Sequence, residues 1–208
     1  MGIKKFFSKI KEEEKVIKGE ATKDKTYSSE KEFPTHEDAA REFRRSIEKL
    51  FLVNQWSDMP GITSTFTLYN SHGVEKEADR PDLNDYIKII LPGPVPENWV
   101  IVTDIKETDN SAEFRVSPST NPTKRKGDQK EIEHFFIDEA TSTFKVELLG
   151  KTIYAYEIGK NEGINNEEED AGKRKFINTL IAEGGWAGVQ KFQWEKLTGY
   201  LVHKIEIE

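Results

Sequence analysis

From Ile62 to Ile158 the chain runs through one short extended segment after another, with no helical pattern between them, and this constrains the fold more than any other feature. Ile62, Ser64, Phe66 and Leu68 alternate with Thr63, Thr65 and Thr67, the period-two pattern of a strand with one buried face. Further runs over 86–91, 99–105, 112–116, 132–137, 143–148 and 152–158 are separated by turn-forming residues. Connections as short as Leu149-Gly150-Lys151 close hairpins but are too short for parallel crossovers. The expected sheet is therefore mainly antiparallel, with about six to seven strands.

Such a sheet must bury one face against something, and the flanking segments supply it. Thr35 is placed to cap a helix, with Glu37 and Asp38 adding negative charge at its positive dipole end. Ala40, Phe43, Ile47, Leu50 and Phe51 form an apolar stripe running to about Asn54, with Arg41, Arg44, Arg45 and Lys49 expected on the wet side. The Trp56–Gly61 segment, with its Pro-Gly pair, closes this helix. At the other end a helical pattern extends from Ala171 to about His203. Its start carries Glu167, Glu168, Glu169 and Asp170, explained by the helix dipole and by i,i+4 pairing with Lys173 and Arg174 rather than by calcium. Gly184 and Gly188 share a face of that helix, which suits close packing, a kink, or space for a ligand.

Residues 1–26 are rich in Lys and Glu and read as a leader preceding a single α+β domain over 27–208. Within it Ile3, Phe6, Phe7 and Ile10 fall at helical spacing among lysines, a short basic amphipathic segment. One reading is transient contact of residues 3–11 with an anionic membrane or a partner groove; the other is a frayed tail or a helix packed on its own domain.

Several chemistries are excluded. The net charge of −7 opposes wholesale nucleic-acid binding, which needs a basic surface. The absence of cysteine removes disulfides, thiol catalysis and thiolate metal sites, in keeping with a cytoplasmic protein. No run approaches the ~18 apolar residues of a spanning helix. The four histidines, His36, His72, His134 and His203, include no i,i+4 pair that would present two ligands to zinc. His134 with Asp138 and Glu139 is the nearest approach to an acid–base or metal cluster, but these residues flank a strand, and a satisfied structural histidine is the favoured explanation. Nucleophile-elbow and phosphate-loop motifs are missing, and Gly184-Gly185-Trp186-Ala187-Gly188 lacks dinucleotide-site spacing. No cofactor is expected. The basic loop at Pro122–Gly127 reads as a solvated hairpin loop or a phosphate contact.

Aromatic residues are spread over nearly every element: Trp56, Phe66, Tyr69, Tyr86, Trp99, Phe114, Phe144, Tyr154, Tyr156, Trp186, Phe192 and Trp194. Most must be core, and a helix laid across a sheet leaves room for an aromatic-walled apolar cavity. An extended segment near Tyr27–Phe33, a helix ending near Trp56, the run of antiparallel strands and a long terminal helix containing Trp194 together resemble the helix-grip fold of the START-like (SRPBCC) superfamily. The resemblance covers 27–203 and rests on element order and the Trp56–Gly61 turn. A single N-terminal helix stands where many members have two short ones.

The resemblance implies a curved antiparallel sheet gripping the C-terminal helix around an apolar ligand such as a lipid or sterol, with catalysis in only some members. On that basis Trp56, Phe66, Tyr86, Trp99, Phe114, Phe144, Tyr154, Leu180, Gly184, Gly188 and Phe192 are candidate cavity residues. The leading expectation is a noncatalytic module for a hydrophobic small molecule or lipid. The alternatives are a cyclase- or hydrolase-type enzyme using His134 or Tyr154 in the same cavity, favoured by a buried titratable group at its floor, and an interaction protein with a filled core.

Overall fold

The computed structural model describes residues 23–77, 80–91, 97–124, 138–162 and 186–207. Among these residues seven strands form one sheet: β1 (Lys23–Glu32), β2 (Thr65–Tyr69), β3 (Tyr86–Ile90), β4 (Asn98–Thr108), β5 (Ser111–Pro118), β6 (Thr141–Leu149) and β7 (Thr152–Glu162). Among the described residues two helices accompany them, α1 (His36–Phe51) and α2 (Trp186–Leu201), with a 3-10 segment over Val53–Asp58. The spatial order is β1-β7-β6-β5-β4-β3-β2, and every neighbouring pair is antiparallel. Hairpin connections dictate this order from β2 to β7. The exception is β1, which lies beside β7 at the far edge, so the chain crosses the sheet through α1 to reach β2. Gly150, at φ 62°, turns the β6–β7 hairpin in a left-handed conformation that strains other residues.

Cross-strand registers identify the face that carries the core. Leu68, Ile87 and Val100 lie opposite one another in one row, and Phe114, Phe144, Glu157 and Tyr27 in another. Onto this inner face α1 packs Ala39, Phe43, Leu50 and Phe51, and α2 packs Trp194, Leu197 and Leu201.

Five local expectations are corrected. Ala39, not Ala40, is the buried alanine of α1, and Lys49, expected in water, is buried with the apolar stripe. The α-helix ends at Phe51, and Trp56 sits in the 3-10 segment that follows. The first strand begins at Lys23, ahead of Tyr27, and β2 begins at Thr65 rather than Ile62. The run 132–137, the acidic stretch 167–170 and the first part of the C-terminal helical pattern lie outside the described residues.

The N-cap reads as expected. Thr35 is extended (φ −128°, ψ 163°), and its hydroxyl oxygen accepts from the Asp38 amide at 3.0 Å. Thr35→Ala leaves that amide without its side-chain acceptor and should lower unfolding free energy by about 1 kcal/mol in urea titrations, with an unchanged m-value.

Candidate functional site

Four of the candidate cavity residues come together on the inner face. Trp56 lies edge-on to Phe66 at 5.5 Å and to Phe144 at 5.0 Å, and stacks on Phe114 at 6.0 Å between ring centroids. Its indole N–H donates to the Lys49 carbonyl at 2.9 Å, which satisfies the polar end of a side chain only 1% exposed. Trp194 of α2 extends the cluster, meeting Phe144 edge-on at 5.4 Å. These rings pack on one another as a single cluster on the inner face.

Three other candidates face the opposite side of the sheet. Tyr86 stands opposite Tyr69 and Ile101, Trp99 opposite Lys88, and Tyr154 adjoins the inward-facing Ile153 and Ala155. Because strand side chains alternate, these residues point away from the helices. Trp99 is nonetheless buried, packing edge-on against Tyr69 at 5.0 Å with the Lys88 ammonium 5.9 Å from its ring, while Tyr154 and Tyr156 stack at 6.4 Å. Phe192 is half exposed on α2, with the Lys196 ammonium 5.4 Å from its ring. Gly188 lies within α2; Leu180, Gly184, His134 and the segment Ile3–Ile10 lie outside the described residues.

Next to the aromatic cluster is a residue the sequence reading did not single out. Glu157 occupies an inward position of β7, between Phe144 on β6 and Tyr27 on β1. It is fully buried, and among the described residues neither carboxyl oxygen has a hydrogen-bond partner. Burial pushes its pKa up to about 8, and the neighbouring Glu162 carboxylate adds to the rise. The Ser142 hydroxyl and the Lys25 ammonium act in the opposite direction without offsetting it. The Glu157 carboxyl is therefore mostly protonated at neutral pH, a neutral acid with hydrogen-bonding capacity to spare.

Glu162 reaches the same patch through a break in register. Lys25 pairs with Gly159 but Lys23 pairs with Glu162, so β7 carries one extra residue there, and Asn161 takes a positive φ of 52°. This bulge restores the Glu162 side chain to the inner side. Its carboxylate then lies over Gly159, where the Cβ of any other residue would collide with it, and faces the Lys25 ammonium at 3.8 Å.

A second buried polar cluster holds the end of α2 on α1. The Lys49 ammonium donates to the Tyr200 carbonyl at 3.1 Å, His203 Nδ1 at 2.9 Å and Glu206 Oε2 at 2.8 Å. Since Nδ1 accepts from Lys49, the imidazole is neutral and its proton is on Nε2, which donates to the Glu42 carbonyl at 2.9 Å and lies 3.0 Å from the Ser46 hydroxyl. Burial holds the His203 pKa below its ordinary value, and the Lys49 charge contributes in the same direction. Every group here is partnered, so the cluster reads as a structural clasp. Among the described residues no group of three acidic or histidine side chains is placed to hold a metal ion, and no helix is long and apolar enough to cross a membrane.

No protein-family model and no curated protein sequence matches the chain. Solved structures do resemble it. A hypothetical protein from Helicobacter pylori superposes with a TM-score of 0.55 at 12% identity, covering 93% of this chain and 94% of its own. Norcoclaurine synthase from Thalictrum flavum, in complex with dopamine and hydroxybenzaldehyde, gives 0.42 at 12% identity over 92% of this chain and 94% of its own. A major latex-like protein from Panax ginseng gives 0.37 at 12% identity over 77% and 93%. At 12% identity the likeness to the Helicobacter pylori protein is one of fold alone, and the fold, an antiparallel sheet with the C-terminal helix packed on its inner face, is the one that the order of elements anticipates.

Proposed function

We propose that the chain is a binding module for a hydrophobic small molecule held between the inner face of the sheet and the C-terminal helix. Glu157 carries this reading. A carboxyl buried opposite Phe144, with no hydrogen-bond partner among the described residues, costs about 1–3 kcal/mol of desolvation that a structural role would normally offset with a hydrogen bond. A ligand with a polar group at one end of an apolar body would supply that bond and bury its remainder against the rings.

The enzyme alternative is supported by the same residue, since a carboxyl with pKa about 8 is poised to exchange a proton near neutrality. Tyr154, by contrast, faces away from the site. Native mass spectrometry of the purified chain beside a denatured control discriminates between the readings. A discrete extra mass, released unchanged on unfolding, is expected for a binding module. Recovery of a chemically converted molecule after incubation would favour the enzyme. A homogeneous apo mass combined with no binding of anilinonaphthalene sulfonate would sink both.

A further inference from the structure

The surroundings of Glu157 limit which polar group would complete it. β1 brings Lys25 and Tyr27, with Lys23 in register with Glu162 further along; β6 brings Ser142 and Phe144; β7 brings Glu162; and α2 lays Trp194 on Phe144. The Lys25 ammonium is directed at Glu162 rather than at Glu157. At the Glu157 carboxyl the negative charge of Glu162 outweighs the positive charge of Lys25. A ligand anion placed there would meet two carboxyl groups. A neutral hydroxyl would satisfy Glu157 but gain nothing from Glu162.

We propose that this patch receives the protonated amine of an otherwise apolar ligand, its ammonium hydrogen-bonded to the orphaned carboxyl oxygens of Glu157 on the side that Glu162 makes electronegative, and its apolar body against Phe144 and Trp194. The inference deepens the binding reading above and rests on it. An ammonium brings three donors to oxygens for which no hydrogen bond is closed among the described residues, though the Ser142 hydroxyl is close enough to act on them, and the ring faces nearby attract its charge. The protons balance simply. The amine enters as an ammonium and stays one, Glu157 passes from carboxylic acid to carboxylate, and the proton it loses goes to solvent.

The test uses the full chain and three probes of equal chain length: decylamine, decanol and decanoate. Each is titrated by calorimetry at pH 7 in two buffers of different ionisation enthalpy, with tryptophan fluorescence as an independent readout. Decylamine is expected to bind at least about tenfold more tightly than decanol, as befits a desolvated, charge-assisted pair, and to release close to one proton. Glu157→Gln should reduce that preference to within about twofold, abolish proton release and leave decanol binding in place, which also shows that the variant is folded. Decanol or decanoate binding as tightly as decylamine, or an amine preference that survives Glu157→Gln, would overturn the cation assignment while leaving the binding module standing. Failure of all three probes to bind would count against the binding function itself.

Discussion

Replacing Glu157 with glutamine is expected to stabilise the protein at pH 8 by about 4 kcal/mol while changing little at pH 4.5. The sign follows from the direction of the shift. The carboxyl titrates at about 8 in the folded protein against 4.5 in the unfolded chain. Between those values the folded state holds a proton that the unfolded state has lost. Stability from this group is thus fully present below pH 4.5, and it falls by up to about 1.4 kcal/mol per pH unit as pH rises through 8. Glutamine keeps the shape and the neutral polarity without the titration. Urea midpoints for the native chain should therefore fall between pH 5 and 8 relative to those of the variant. Parallel midpoints across that range would mean that Glu157 is ionised and satisfied, and the premise of the ligand site would go with it.

Why Glu157 was not legible in the sequence is a matter of strand phase. In β7, Tyr154, Tyr156 and Ile158 alternate with Ile153, Ala155 and Glu157, and hydrophobicity favours the tyrosine phase as the inward one. The folded chain takes the other phase. Ala155 and Ser29 are small enough to let α2 approach, with the Ser29 and Thr198 hydroxyls 3.0 Å apart, while the tyrosines stack on one another outside. A one-residue change of phase exchanges every side chain between faces, so one wrong choice misplaced Tyr154 and hid Glu157 together. Trp99 misled for a different reason: its burial is real but belongs to the outer face.

Where alternation is unambiguous, as around Phe66 and Leu68 in β2, the strand and its inward face are both readable, and the tight turns between β4 and β5 and between β6 and β7 specify antiparallel pairing there. The pairing of β1 with β7 spans most of the chain and leaves no local signal beyond the alternation in β1 itself. The buried clasp was equally hidden. A lysine at position 49 among Arg41, Arg44 and Arg45 looks solvated, and only the return of the chain at His203, where φ reaches 59° just past α2, gives its ammonium partners.

That clasp makes Lys49→Met the other large effect. Methionine fills the volume but leaves the Tyr200 carbonyl without its donor, removes the cation 4.4 Å from the Tyr200 ring and frees Glu206 to return to water. Because Glu206 is half exposed the loss falls short of that for a fully buried pair, and about 2–4 kcal/mol is expected at pH 8. The loss should be smaller at pH 5. In the native chain burial and Lys49 hold the His203 pKa down, so its contribution to stability is complete above the unfolded value of 6.5 and declines as pH falls through the lowered folded value. Without Lys49 the Nδ1 atom is open to protonation, and the Glu206 carboxylate, 3.3 Å from it in the native chain, can return from water to receive its N–H once the ring is charged. Its pKa then rises from the lowered native value, and protonation costs the folded state less than it does in the native chain. Proton NMR titration of the His203 ring should show the rise directly, and urea midpoints at the two pH values should show the partial recovery. Equal losses at both would mean that Lys49 acts through packing alone and that the imidazole does not respond to its charge.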